Sequence, residues 1–67
     1  MKEIIIVEGM TCHHCGMAVR RAIEQLPGVK EIVVDLATGR IEVTGEEALD
    51  RERIRRSVEE EGYRVVS

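Results

Sequence analysis

The apolar residues of this chain repeat with two different periods, and the order in which those periods alternate leaves few folds open. Residues 2–8 hold Ile4-Ile5-Ile6-Val7, an unbroken β-type run. Over residues 15–26 the apolar positions Val19, Ala22, Ile23 and Leu26 fall at i, i+3, i+4 and i+7, one face of a helix supported by Ala18. Pro27-Gly28 ends that helix, because the proline ring disfavours helical geometry in the residue before it. Residues 29–35 are β-rich through Val29, Ile32, Val33 and Val34, and residues 40–44 alternate strictly as Arg40-Ile41-Glu42-Val43-Thr44. Between them lies a turn in which Gly39 is free to take positive φ, so the two runs predict a hairpin. Residues 45–48 read as a loop.

Asp50 has the character of a helix N-cap. Leu49 before it is placed to pack on Ile54 as a hydrophobic staple. Ile54 and Val58 face the core, and Gly62 stops the helix as its C′ residue. Arg51 and Arg53 in the first turn and Glu59, Glu60 and Glu61 in the last oppose the helix dipole. Pairs such as Glu52–Arg56 and Arg55–Glu59 offset that. Residues 63–66 form a short last strand. The order β-α-β-β-α-β, with right-handed crossovers, predicts an α+β, ferredoxin-like open-faced sandwich: a four-stranded antiparallel sheet with two helices on one face. The first strand is apolar on both sides, so it is expected to be central and partly covered on both faces. Ile4, Ile6 and Val33 are expected on the face opposite the helices, where they form a candidate apolar patch.

A chain of 67 residues reads as one domain, residues 1–67. It buries only about 60% of its unfolded surface. Its two cysteines, Cys12 and Cys15, stand too close in sequence to staple distant segments, so the pair reads as chemistry and not as scaffolding. No early apolar run suits a signal peptide or a membrane span. The expected location is therefore the cytoplasm, where thiols stay reduced. The net charge of −3 comes from the second half, since residues 1–33 balance to zero. With no basic tract and one aromatic residue, Tyr63, a nucleic-acid partner is not supported.

The chemistry is concentrated in Gly9-Met10-Thr11-Cys12-His13-His14-Cys15, which holds both cysteines and both histidines at a strand-to-helix junction, with residues 9–14 read as a loop. Unpaired backbone N–H groups and the positive end of a helix favour anions there. A thiol so placed tends to ionise, and the thiolate is the form that binds soft metals or does redox chemistry. Cys15, if in the first helical turn, is expected to be the more acidic thiol, and Cys12 the more exposed one. Two thiolates suit Cu(I), and they also accept Hg(II), Cd(II) and Zn(II). Zn(II) normally takes four ligands, or three plus water. Four side chains within four consecutive residues leave the backbone in different directions, so a closed site of Cys12, Cys15, His13 and His14 is disfavoured. His13 and His14 remain accessory candidates, more simply read as solvated. Met10 reads as core filler, and Met17 as a shield or a partner contact. Arg20 and Arg21 read as a solvated helix face close enough to meet an acidic partner.

Strand–Cys-x-x-Cys–helix is also the arrangement of thiol–disulfide oxidoreductases. Against that enzyme reading, the chain is too short for the thioredoxin fold. Its one proline, Pro27, ends a helix and cannot face the cysteines from a strand.

Taken with Leu26-Pro27-Gly28-Val29 and Glu61-Gly62-Tyr63, the Gly9-Met10-Thr11-Cys12-x-x-Cys15 run resembles the heavy-metal-associated (HMA) domain family over nearly the whole chain. That family includes bacterial copper chaperones of the CopZ type and the N-terminal domains of copper-transporting P-type ATPases. The resemblance implies that Cys12 and Cys15 are the metal ligands, that Met10 is buried and props the loop, and that Tyr63 sits beside the metal. It implies a carrier of Cu(I), with Zn(II) and Hg(II) as alternatives. The carrier is not an enzyme and delivers its ion by thiolate exchange. The implied partner is a copper-transporting P-type ATPase or a copper-responsive repressor. Tyrosine at position 63 and a start at Met1 favour a free-standing chaperone over a detached ATPase domain. The apo form is expected to be monomeric, with copper-bridged dimers at excess Cu(I).

Overall fold

Four strands and two helices follow one another in a computed structural model that describes residues 1–46 and 48–67. They are β1 (Lys2–Glu8), α1 (His13–Glu24), β2 (Val29–Asp35), β3 (Arg40–Gly45), α2 (Arg51–Glu60) and β4 (Arg64–Val65). The strands form one antiparallel sheet in the order β2-β3-β1-β4. This is the βαββαβ open-faced sandwich that the two periods predict. The hairpin is in register, with Ile32 opposite Val43 and Val34 opposite Ile41. Gly39 in its turn has φ +76°.

One face of the sheet supplies Ile5, Val7, Ile32, Ile41 and Val43 to the core; α1 supplies Val19 and Ile23, and α2 supplies Ile54 and Val58. Burying each such side chain favours folding by about 1.5–3 kcal/mol before conformational entropy is counted. β1 is central, as expected: Ile5 opposes Ile41 on one side and Val7 opposes Val65 on the other. It is not covered on its second face. Ile6 is half-buried, but Ile4 is 38% and Val33 50% exposed. Both helices pack on the Ile5–Val7 side, and the residues flanking Ile4 and Ile6 on β3 are Glu42 and Arg40. Glu42 there is paired with Lys2 at 3.2 Å. An apolar run on both faces thus marks the centre of the sheet without requiring a second layer.

α1 starts at His13, two residues before the point that the periodicity marks, and ends at Glu24, two residues before Leu26. The apolar repeat cannot detect a polar first turn. α2 keeps the expected boundaries. The Asp50 carboxylate accepts from the N–H groups of Glu52 at 3.1 Å and Arg53 at 3.3 Å. Leu49 is half-buried against the core that holds Ile54. At the other end the Gly62 N–H donates to the Glu59 carbonyl at 3.0 Å and the Tyr63 N–H to that of Val58 at 3.4 Å. The Arg55–Glu59 pair forms at 3.0 Å, whereas Glu52 pairs with Arg55 and not with Arg56. One guanidinium therefore bridges both carboxylates. β4 starts one residue later than expected, because the Tyr63 amide is taken by the helix end, and just past it the Val66 N–H still donates to the Ile6 carbonyl at 2.9 Å. The loop expected at residues 45–48 includes Glu47, which lies outside the described residues.

Candidate metal centre

The site is built where β1 passes into α1. Met10 is 6% exposed and belongs to the core, so it anchors the turn from below. Gly9 precedes it with φ +97°, and a methyl group there would stand 3.3 Å from the Tyr63 ring. Glycine thus supplies both the backbone conformation and the room for that ring. Cys12 is the extended N-cap of α1, with φ −149° and ψ 171°. Its carbonyl accepts from the Cys15 N–H at 3.1 Å and the Gly16 N–H at 3.3 Å. Its side chain makes no cap hydrogen bond, which leaves the sulfur uncommitted to the helix.

Cys15 is the third residue of α1. It is half-buried against the core, while Cys12 is exposed. Both are free thiols, with the sulfurs 3.4 Å apart. The Cys15 thiol is lowered from its ordinary 9.0 to about 6. The largest cause is hydrogen bonding from the Tyr63 side chain, followed by the backbone at Thr11 and by the Cys12 side chain. The Tyr63 hydroxyl is raised in turn, first by the same contact with Cys15 and then by desolvation. The direction at Cys15 is the one its position in the helix predicts. The dominant cause is different: it is a side chain that arrives from the far end of the chain.

His13 and His14 are both exposed in the first turn of α1 and not in a loop. Their ring centroids are 6.4 Å apart with the planes tilted by 60°. Among the described residues no group of three or more His, Cys, Asp and Glu side chains converges as a metal cage. The close donor pair is therefore Cys12 with Cys15, a soft two-sulfur set suited to an ion of low coordination number. Pro27 lies exposed after the C-terminal end of α1, at the opposite end of that helix from the cysteines.

One contributor escapes the sequence reading. Gly16 is buried, and a methyl group on it would stand 3.0 Å from Leu36 Cδ2 and 3.3 Å from Val34 Cγ1. The first turn of α1 therefore rests directly on β2 and on the hairpin turn. A glycine adds nothing to an apolar repeat, and Leu36 sits in a turn, so neither residue stands out as core.

Comparisons with known proteins identify the family and the fold. The model of the heavy-metal-associated domain matches residues 4–64. The chain is 36% identical over 66 residues to the copper chaperone CopZ of Staphylococcus haemolyticus, covering 97% of each. A solved CopZ metallochaperone superposes with a TM-score of 0.93 at 34% identity, covering 98% of this chain and all of that one. A copper-binding domain of a P-type ATPase superposes with a TM-score of 0.86 at 28% identity, covering 98% and 93%. A family match over almost the whole length, on a fold that brings the two thiols together where β1 meets α1, makes this chain a member of the heavy-metal-associated domain family.

Proposed function

We propose that this protein is a copper chaperone that holds one Cu(I) between Cys12 and Cys15 and passes it to a protein partner. The observation that carries this reading is the sulfur pair, 3.4 Å apart, in which Cys12 is exposed and the Cys15 thiol is lowered to about 6. A thiolate is available at neutral pH, and no third His, Cys, Asp or Glu side chain closes the site among the described residues. The copper chaperones to which the chain is similar support Cu(I) over Zn(II) or Hg(II).

The ion is cargo, so the protein is a carrier and not an enzyme. One thiolate of a partner's cysteine pair attacks the ion, a three-sulfur intermediate forms and one of the two Cys12–Cys15 sulfurs leaves, and the partner's second thiolate then displaces the other. Cys12, exposed and at the cap, leaves first. His13 and His14 stay outside this two-sulfur site, and Met10 and Tyr63 support it from beneath and beside. The partner best supported is a copper-transporting P-type ATPase, since a copper-binding domain of a P-type ATPase has this fold. A copper-responsive repressor is the second. The chain works as one domain over residues 1–67, in the cytoplasm, monomeric without metal and copper-bridged when Cu(I) is in excess. No helix among the described residues is long and apolar enough to cross a membrane.

Anaerobic competition of Cu(I), Zn(II) and Hg(II) for the reduced protein, read by native mass spectrometry, tests the metal. One Cu(I) per chain retained against a thiol competitor is the expected result. Preferential retention of Zn(II) would reject the copper reading. Mixing the loaded protein with a P-type ATPase metal-binding domain tests delivery, and copper that stays behind would reject transfer.

A further inference from the structure

Met17 is a soft donor that the two-sulfur reading leaves unused. It is 37% exposed, whereas Met10 is buried. It stands four residues after His13 on α1, so the two share one helix face. Helical side chains lean toward the N-terminus, which carries the Met17 thioether over the turn that bears His13. His13 and Met17 together line a hollow of about 150 Å³ whose opposite wall is Val34 and Leu36. They also line a neighbouring hollow that runs toward Glu24. His14 lines neither of these two. Gly16, between them in the chain, lets Leu36 and Val34 close against the helix and form that wall of the first hollow. Arg20 borders both hollows and is paired with Glu24 at 2.9 Å, and Arg21 borders the second hollow alone.

We propose that His13 and Met17 form a second soft-ion site, which takes one monovalent ion of the Cu(I) or Ag(I) class between an imidazole nitrogen and a thioether sulfur. This site goes beyond the Cys12–Cys15 reading and does not depend on it. Both donors are neutral, so the bound ion keeps its full charge, and the site is weaker than a pair of thiolates. It therefore fills second. Imidazole and thioether suit a soft ion of low coordination number and leave Zn(II) short of ligands.

The test is a chloride-free Ag(I) titration of the reduced, isotope-labelled protein, followed by NMR at the methionine methyls, the histidine rings and the cysteine β-carbons. The first equivalent is expected to move the Cys12 and Cys15 β-carbons. The second is expected to move the Met17 methyl and the His13 ring together. Met17→Leu and His13→Gln should each weaken the second equivalent by tenfold or more and leave the first unchanged. In the doubly substituted Cys12→Ser, Cys15→Ser protein, one Ag(I) should still move Met17 and His13. The proposal is overturned if no second ion binds, if it binds without moving the Met17 methyl, or if the two variants bind it as tightly. A first equivalent that moves no cysteine carbon would instead reject the two-sulfur site, with the Ser-substituted protein still deciding the His13–Met17 pair.

Discussion

Cys12 Sγ lies 3.4 Å from Cys15 Sγ, and the two sulfurs are held very differently. Cys15 is locked into the first turn of α1 and packed on the core, while Cys12 is the exposed cap residue. With metal–sulfur bonds of about 2.3 Å, a straight sulfur–metal–sulfur line needs a separation of about 4.6 Å. The pair must therefore open on loading, and Cys12 is the partner free to move. Cu(I) is expected to shift the backbone resonances of residues 11–13 more than those of residues 15–17. Cys12→Ser and Cys15→Ser should each abolish 1:1 Cu(I) binding in the presence of a competing thiol. Stoichiometric binding by either single variant would reassign the site.

Tyr63→Phe keeps the ring beside Gly9 and removes the hydroxyl. The Cys15 thiol is then expected to rise from about 6 toward 9.0. Its alkylation by iodoacetamide at pH 7 should slow, and the midpoint of the rate–pH profile should move up. The folded thiol is more acidic than the unfolded one. Its contribution to stability is thus fully present above the unfolded value and is lost as pH falls through about 6. Tyr63→Phe should flatten that rise in denaturation experiments. An unmoved alkylation midpoint would assign the acidity to the backbone around Thr11 instead.

Replacing both His13 and His14 with alanine should leave the first Cu(I) equivalent in place and weaken Zn(II) binding more. Zn(II) needs further ligands beyond two sulfurs, and exposed imidazoles are the nearest supply. Equal losses of the two metals in a competition assay would make a histidine a primary Cu(I) ligand.

Asp50→Ala removes the acceptor of two α2 amide N–H groups. A cost of about 1 kcal/mol is expected in urea denaturation, with an unchanged m-value. Because α2 delivers Tyr63, the Cys15 alkylation profile reports whether the helix end has moved. It should stay as in the parent, since Gly62 and Tyr63 close the other end of the helix independently.

Gly16→Val drives a branched side chain into Leu36 and Val34. Overpacking of this kind costs about 1–3 kcal/mol. The penalty should shrink in a Leu36→Ala background, where the nearest obstacle is gone, and a double-mutant cycle measures the coupling. No coupling would mean that the helix shifts as a whole instead of clashing at Leu36.

Much of this protein is written in short-range pattern. The alternation at Ile41 and Val43, the helical spacing of Val19 and Ile23, and the Asp50 and Gly62 signals each act within a few residues, so they can be read along the chain. The Cys12–Cys15 spacing is local in the same way, and so is its place between an apolar strand and a helix. The contacts that shape the candidate site are not. Tyr63 is brought beside Gly9 and acidifies Cys15 because β4 pairs with β1 and α2 ends in the Gly62 turn. Leu36 meets Gly16 only because the hairpin folds under α1. Arg55 takes Glu52 from Arg56 because one guanidinium spans two carboxylates. Ile4 stays exposed because both helices pack on the other side of the sheet. Periodicity states which face of each element is apolar, whereas the neighbour that meets a given atom of that face is chosen by packing among segments far apart in the chain.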